Sequence, residues 1–307
     1  MALLALILAL ALEQWRPLAD RRYLFAPVAR YANWLERQFN AGQVQHGAIA
    51  WCLAVLPAVL GAALLHLALS KLHPLLAIAF SVAVLYFTMG FRQFSHFYTD
   101  IRLALQADDL ERARAQLAAW RGHDCSGLGR EDVVRLAIEE ALTASHRRVF
   151  GVVFWFVLLP GPAGALLYRL SSMLARRWGH GGEAELANFG RFARDAFAAI
   201  DWLPVRVTAA AFAVVGDFED AVFCWRGQAR RWADPLIGVV LAAGAGAIGV
   251  RLGGPYIADG QPVDRPEIGV GDEPDPAFLD STIGLVWRTV SLWVALLALL
   301  MIASVFG

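Results

Sequence analysis

The chain has 307 residues, 58% of them hydrophobic and 18% charged, with a mean hydropathy of +0.50. Soluble domains carry about 25% charged residues, so the composition argues against an ordinary soluble protein. The 27 basic and 27 acidic residues cancel, which leaves no electrostatic footprint for nucleic acid. Cys52, Cys125 and Cys224 lie far apart without a CxxC, so neither a disulfide framework nor a metal site is expected.

The first element is the apolar run MALLALILALAL, which resembles a signal core but has no basic start and no small-residue cleavage site. It reads as a retained short membrane helix. Residues 47–70 are long and apolar enough to span, and 74–91 follow after the tight Lys71–Leu72–His73 connection, so the two predict a helical hairpin. The polar region 92–147 predicts two helices. In the first, Leu110, Ala113, Leu117 and Trp120 share a face, Asp108 and Asp109 stand at its start and Gly122 stops it; the second begins near Arg130. His123–Asp124–Cys125 between them reads as a loop, since no second ligand pair stands at metal spacing.

The segment 151–168, GVVFWFVLLPGPAGALLY, is apolar but interrupted by Pro160, Gly161, Pro162 and Gly164. It is either one kinked span or two half-helices that dip in and return. A polar helical stretch follows at 171–200, broken at Gly179–Gly182. In 200–221, Asp201 and Arg206 bracket Pro204 ahead of about ten apolar residues, too short a run to span. Residues 235–252 and 284–306 complete the apolar segments. Ala242, Gly244, Gly246, Gly249 and Gly253 in the first of these permit close helix approach, within the chain or across a homodimer formed through 235–253. Between them, 253–281 reads as an extended acidic loop with little regular structure, whose one basic residue is Arg265.

Cytoplasmic loops of membrane proteins are enriched in Arg and Lys. Residues 13–46, 92–148 and 169–231 are all Arg-rich. They share one side if 151–168 turns back at Pro160–Pro162, and the acidic loop then lies outside. The charge pattern therefore favours the re-entrant form. Broken backbone at membrane depth is tolerated only against protein or a water-filled cavity, so the break also marks a candidate site. The expected fold is an all-α, polytopic integral membrane protein forming a single membrane domain over 1–307. It has about five membrane segments, one or two of them broken or re-entrant. Regions 92–147 and 171–232 form a cytoplasmic helical face, and 253–283 is an extracytoplasmic acidic loop. The expected location is a bacterial inner membrane, crossed several times.

Several stretches resemble the CobD/CbiB superfamily of bacterial membrane proteins, which includes the AmpE proteins. VFWFVLLPGPAGALLYRL is similar to the family pattern F-W-x(4)-G-x-P-G-A-x-x-Y-R. FGRFARDAFAAIDWLPVRVTA (189–209) and LAAGAGAIGVRLGGPYIADGQPVDRPEIG (241–269) are similar to two further signatures. The resemblance implies either of two functions. One is adenosylcobinamide-phosphate synthase, which joins adenosylcobyric acid to an aminopropanol or its phosphate as an amide, with ATP and Mg²⁺. The other is an AmpE-like sensor or regulator without catalysis. Thr143, Ala144, Arg147 and Arg148 stand where the synthase pattern has E-N-x-x-D-G, Phe197–Ala198 where it has D-D, and Asp201 where it has Asn. These losses favour the non-catalytic regulator, with the synthase as the alternative. Asp195, Asp217, Glu219 and Asp220 are the acids that could compensate.

The site candidates follow from charge near apolar segments. His146, Arg147 and Arg148 precede the break and suit a phosphate or other anion, or anionic lipid as a basic anchor. Asp201 and Arg206 are ionisable groups at the mouth of an apolar segment. Together with 147–165 they predict a cavity for a small molecule. No nucleic acid or resident metal is expected, and the bilayer is the expected partner.

Overall fold

The computed structural model describes residues 2–15, 22–179, 184–258 and 261–306. It divides into two compact units, Met1–Gly90 with Arg147–Pro204, and Phe91–His146 with Val205–Gly307.

The first unit is built on α1 (Ala2–Trp15), α2 (Arg22–Phe39), α3 (Val44–Leu72) and α4 (Pro74–Thr88). The α3–α4 hairpin forms where it was expected. His73 ends α3, its Nδ1 accepts the Leu75 N–H at 3.2 Å, and Pro74 occupies the first helical position, where its missing N–H costs nothing. The N-terminal apolar run is helical and packs along α4. A core of Leu35, Trp51, Val55, Leu174, Trp178 and Phe189 joins α2 and α3 to the later helices of this unit.

Those later helices are α8 (Gly151–Leu158), α9 (Pro162–Gly179) and the first part of α10 (Ala184–Val215). The interrupted segment 151–168 is a tight helical hairpin. Its chain reverses at Leu159–Gly161, where Gly161 has φ +53°. A Cβ on Gly164 would fall 1.8 Å from the Trp155 carbonyl oxygen, and one on Gly151 would fall 2.2 Å from the Tyr168 ring. Residues 151 and 168, at opposite ends of the segment, are therefore neighbours, and the half-helices run antiparallel. The break expected at Gly179–Gly182 falls largely on 180–183, outside the described residues.

The second unit contains α5 (Phe91–Gln106), α6 (Leu110–Arg121), α7 (Arg130–Ser145), the end of α10, α11 (Phe218–Gln228), α12 (Pro235–Ile248) and α13 (Ala277–Phe306). The local signals operate as the sequence implies. Asp109 accepts from the Arg112 N–H at 3.0 Å, and Gly122 closes α6 in the left-handed region at φ +78°. Asp234 caps α12 and Gly249, at φ +70°, ends it. The small residues of α12 are used within the unit: Gly238 faces Ala229, Gly244 faces Leu142 and Gly246 faces the Asp220 carbonyl.

Two expectations are corrected. The acidic loop carries two small antiparallel ladders, β1 (Leu252–Gly253) with β4 (Glu267–Ile268) and β2 (Tyr256–Ala258) with β3 (Gln261–Val263). Second, the apolar run after Pro204 is not a separate short segment. Pro204 is accommodated inside α10, and Asn188–Val215 is one stretch long and apolar enough to cross a membrane. The same holds for Val44–Leu72 and Ala277–Ala303, while α1, α4 and α12 are shorter apolar helices. Only 17% of the apolar window of α3 and 22% of that of α13 is buried by protein. Leu60, Leu64, Leu299 and Leu300 face outward, which in a helix of this length is a lipid-facing surface.

Candidate functional site

His146, Arg147 and Arg148 occupy a single π-helical turn, His146–Phe150, inserted between α7 and α8. Such turns widen the helix by one residue and occur preferentially at functional positions. In the second unit, His146 is fully buried and its Nδ1 lies 2.9 Å from the Thr208 hydroxyl, itself fully buried. Arg206, on the same stretch of α10 as Thr208, is half-buried.

In the first unit, Asp201 is 1% exposed and accepts a 2.9 Å hydrogen bond from the Tyr168 hydroxyl. Trp155 donates its indole N–H to the Ile200 carbonyl at 3.1 Å, so both arms of the hairpin hold this turn of α10. Arg147 and Arg169 lie close enough to act electrostatically on the same phenol. A buried carboxylate with a fixed donor and nearby guanidiniums is a polar centre within this unit. The structure thus brings Asp201 and Arg147 to one phenol. Asp201 and Arg206, read together from the sequence, lie in different units.

A second polar centre lies at the loop after α12. Glu139 on α7 is 7% exposed. Its Oε1 accepts the Gly253 N–H at 2.9 Å, and Arg265 meets both carboxylate oxygens at 2.7 and 3.2 Å. The Arg265 guanidinium also stacks 4.5 Å from the Tyr256 ring centre and 5.1 Å from that of Trp232. Gln228 brackets Gly269, accepting its N–H at 2.6 Å and donating to its carbonyl at 3.2 Å. The loop is therefore tied to α7 and α11 by charge-assisted and amide bonds. Sequence reasoning named Arg265 only as a lone base and passed over Glu139. The available signal was Glu139's position among Leu136, Ala137, Ile138, Ala141 and Leu142, in a helix apolar enough on its several sides to leave an acid facing the core.

A third feature is an open cavity of about 460 Å³ between the start of α11, the end of α12 and the start of α13. Asp217, Asp220, Gly249, Ser281, Gly284 and Arg288 line it. The remaining acids stand apart. Asp124 accepts from the Ser126 hydroxyl at 2.7 Å and its N–H at 3.1 Å, which holds its carboxyl below the usual range and marks a turn. Among the described residues no three His, Cys, Asp or Glu side chains are grouped as a metal cage. Of the two carboxylates facing the cavity, Asp217 is committed to capping α11.

These features define an all-α membrane protein with buried polar pairs set against broken helices. The CobD/Cbib protein family profile matches residues 3–286, and the chain belongs to that family. It is 36% identical over 298 residues to the cobalamin biosynthesis protein CobD of Stutzerimonas stutzeri, covering 96% of each chain. It is 38% identical over 250 residues to the protein of that name from Chromobacterium violaceum, covering 81% of this chain and 78% of that one. No solved structure matches it significantly. The relatives' names overturn the expectation of a non-catalytic AmpE-like sensor, and with it the signalling role. That expectation weighed polar groups missing from local patterns; the polar pairs seen here are assembled from distant parts of the chain.

Proposed function

We propose that the chain acts in cobalamin biosynthesis as an adenosylcobinamide-phosphate synthase-type enzyme. In this reading it joins adenosylcobyric acid to an aminopropanol or its phosphate, forming an amide at the expense of ATP. The observation that carries the reading is the 36% identity over 96% of both chains to a protein named for that pathway. Amide formation needs a base for the amine proton and positive groups for the charge developing on the carboxyl oxygen. Buried His146, within hydrogen-bond reach of Thr208, is of the type that takes such a proton, and Arg147 and Arg148 are of the type that offsets such charge.

The same proposal places the protein in a bacterial inner membrane with several passes. The antiparallel α8–α9 hairpin supports the re-entrant reading, because it returns the chain to the end where it entered. The test is direct: purified protein with adenosylcobyric acid, aminopropanol phosphate, ATP and Mg²⁺, read by mass spectrometry. Amide product dependent on all three substrates is expected. No product from folded protein, beside an active synthase control, would refute the reading.

A further inference from the structure

The chain passes between its two units at three places, Gly90–Phe91, His146–Arg147 and Pro204–Val205. At each of them regular helix is interrupted. At the first, α4 ends at Thr88, Met89 is extended with ψ 161°, and α5 begins only at Phe91. The second falls in the π-helical turn His146–Phe150. The third is the proline inside α10. The last two interrupt helices that otherwise run on from one unit into the next, with no loop there to mark a boundary. Prolines, glycines and π turns are where helices bend.

Pro204 has no N–H, so the Ile200 carbonyl four residues earlier loses its helical donor. Trp155 supplies one, since its indole N–H donates to that carbonyl at 3.1 Å. The indole is itself anchored. The Trp155 carbonyl accepts the Leu159 N–H at 3.0 Å, and Gly164 packs directly against it. Tyr168, on the other arm of the hairpin, donates to Asp201 at 2.9 Å. Beyond the proline, Thr208 lies 2.9 Å from Nδ1 of His146, the last residue before its own crossing. Ile200 and Asp201 are thus tied within the first unit and Thr208 within the second, and Pro204 stands between the two sets of bonds. A matched case lies away from any crossing. Pro57 in α3 frees the Leu53 carbonyl, and the Tyr31 hydroxyl donates to it at 3.4 Å.

We propose that Pro204 is a latched hinge, with the Trp155 indole as its latch. While the indole holds the Ile200 carbonyl, α10 keeps one course through the proline. When that bond breaks, α10 flexes and the two units reorient about the three crossings, each keeping its internal packing, as hinge motions do. A carbonyl without a donor is costly in apolar surroundings, so the latched state predominates and the unlatched one is a minor population. The α8–α9 hairpin carries the latch and so controls the hinge. The hinge goes beyond the synthase reading and does not rest on it.

The experiment is distance measurement between paired spin labels on the full chain in lipid nanodiscs, with Cys52, Cys125 and Cys224 replaced by alanine. One pair, on Arg37→Cys and Arg226→Cys, has a label in each unit; a second, on Arg37→Cys and Arg191→Cys, lies within the first, and all three positions are exposed. The between-unit pair should show a main distance and a minor one. Trp155→Phe keeps a ring but has no donor, and the minor population should rise at least roughly threefold against the main one, the scale of one net hydrogen bond. Pro204→Ala gives α10 its own donor for Ile200. Added to Trp155→Phe, it should return the minor population to the wild-type level or below, which would not repair a simple loss of packing at Trp155. Pro57→Ala should leave the between-unit distances unchanged, and the within-unit pair should be unchanged in every variant. The proposal is overturned if Trp155→Phe leaves the between-unit distances as they were, or if Pro204→Ala does not reverse its effect. It is equally overturned if Pro57→Ala acts as Pro204→Ala does, or if the within-unit pair broadens alongside. Should Trp155→Phe fail to fold, Pro204→Ala alone decides: a narrower between-unit distribution supports the hinge and an unchanged one overturns it.

Discussion

Arg265→Met tests whether the loop after α12 is held by the buried pair with Glu139. The side chains are 15% and 9% exposed, so both charges are largely withdrawn from water. Removing the cation leaves Glu139 with the Gly253 N–H as a donor and no neutralising charge from the loop. Breaking one side of a buried pair costs about 3–5 kcal/mol. In a unit of this size 1 kcal/mol corresponds to roughly 2–4 °C, so a fall in Tm of at least roughly 6 °C is expected. Arg265→Lys keeps the charge but loses the two-pronged contact and the stacking on Tyr256 and Trp232, and should fall between wild type and Met. Glu139→Leu with Arg265→Met removes both charges and should recover much of the loss, since a buried pair is not intrinsically better than apolar packing. The assays are thermal unfolding in detergent and hydrogen exchange over 250–272, where protection should drop first. The reasoning fails if Arg265→Met shifts Tm by less than about 2 °C, or if the double variant is as unstable as the sum of the singles.

Gly164→Ala should prevent the α8–α9 hairpin from closing, because its Cβ would lie 1.8 Å from the Trp155 carbonyl oxygen; a loss of about 3 kcal/mol and poor recovery of monodisperse protein are expected. Gly61→Ala on α3, where a Cβ meets nothing within 4 Å, should be neutral or raise Tm by a few degrees through helix propensity. Tyr168→Phe deletes the 2.9 Å bond to Asp201 and should cost about 1–3 kcal/mol, read as a lower Tm with little change in the far-ultraviolet circular dichroism. Burial and the nearby Asp220 charge push the Cys224 thiol up to about 11, so its thiolate forms only as pH rises toward that value. Maleimide labelling at pH 7.5 should leave Cys224 unmodified in folded protein and modify it after denaturation, with mass spectrometry as the readout.

Elements governed by local chemistry were readable from the sequence. The α3–α4 hairpin follows from two apolar runs and a three-residue connection, and α6 from its acids, apolar face and terminal glycine. The reversal at Leu159–Gly161 was readable as one of two forms, because Pro and Gly fix where a helix breaks but not which way it leaves. Tertiary contacts decided it, through Gly164 against Trp155 and Gly151 against Tyr168. Two readings failed for a related reason. Pro204 looked like a boundary, yet α10 continues through it, since a membrane helix can leave one bond unmade when its neighbours pack closely. The ladders of the acidic loop carry only two or three residues per strand, too few for any alternating pattern to show.

The polar centres were harder to read because their members are far apart in sequence. Tyr168 and Asp201 are separated by 33 residues, His146 and Thr208 by 62, and Glu139 and Arg265 by 126. No contiguous motif contains any of the three full pairs, so comparing local patterns counted the polar residues that were missing and not those supplied from elsewhere. What the sequence did hold was the cost. An unpaired carboxylate at a core-facing position, such as Glu139, destabilises a fold unless some distant group neutralises it. Each buried charge therefore carries the prediction of a partner, and in an apolar chain with so few charges the choice of partners is narrow. Arg265 is the only basic residue in 253–281, and it is the one that reaches Glu139. Asking which distant residue could satisfy each core-facing charge would have found this pair before any motif did.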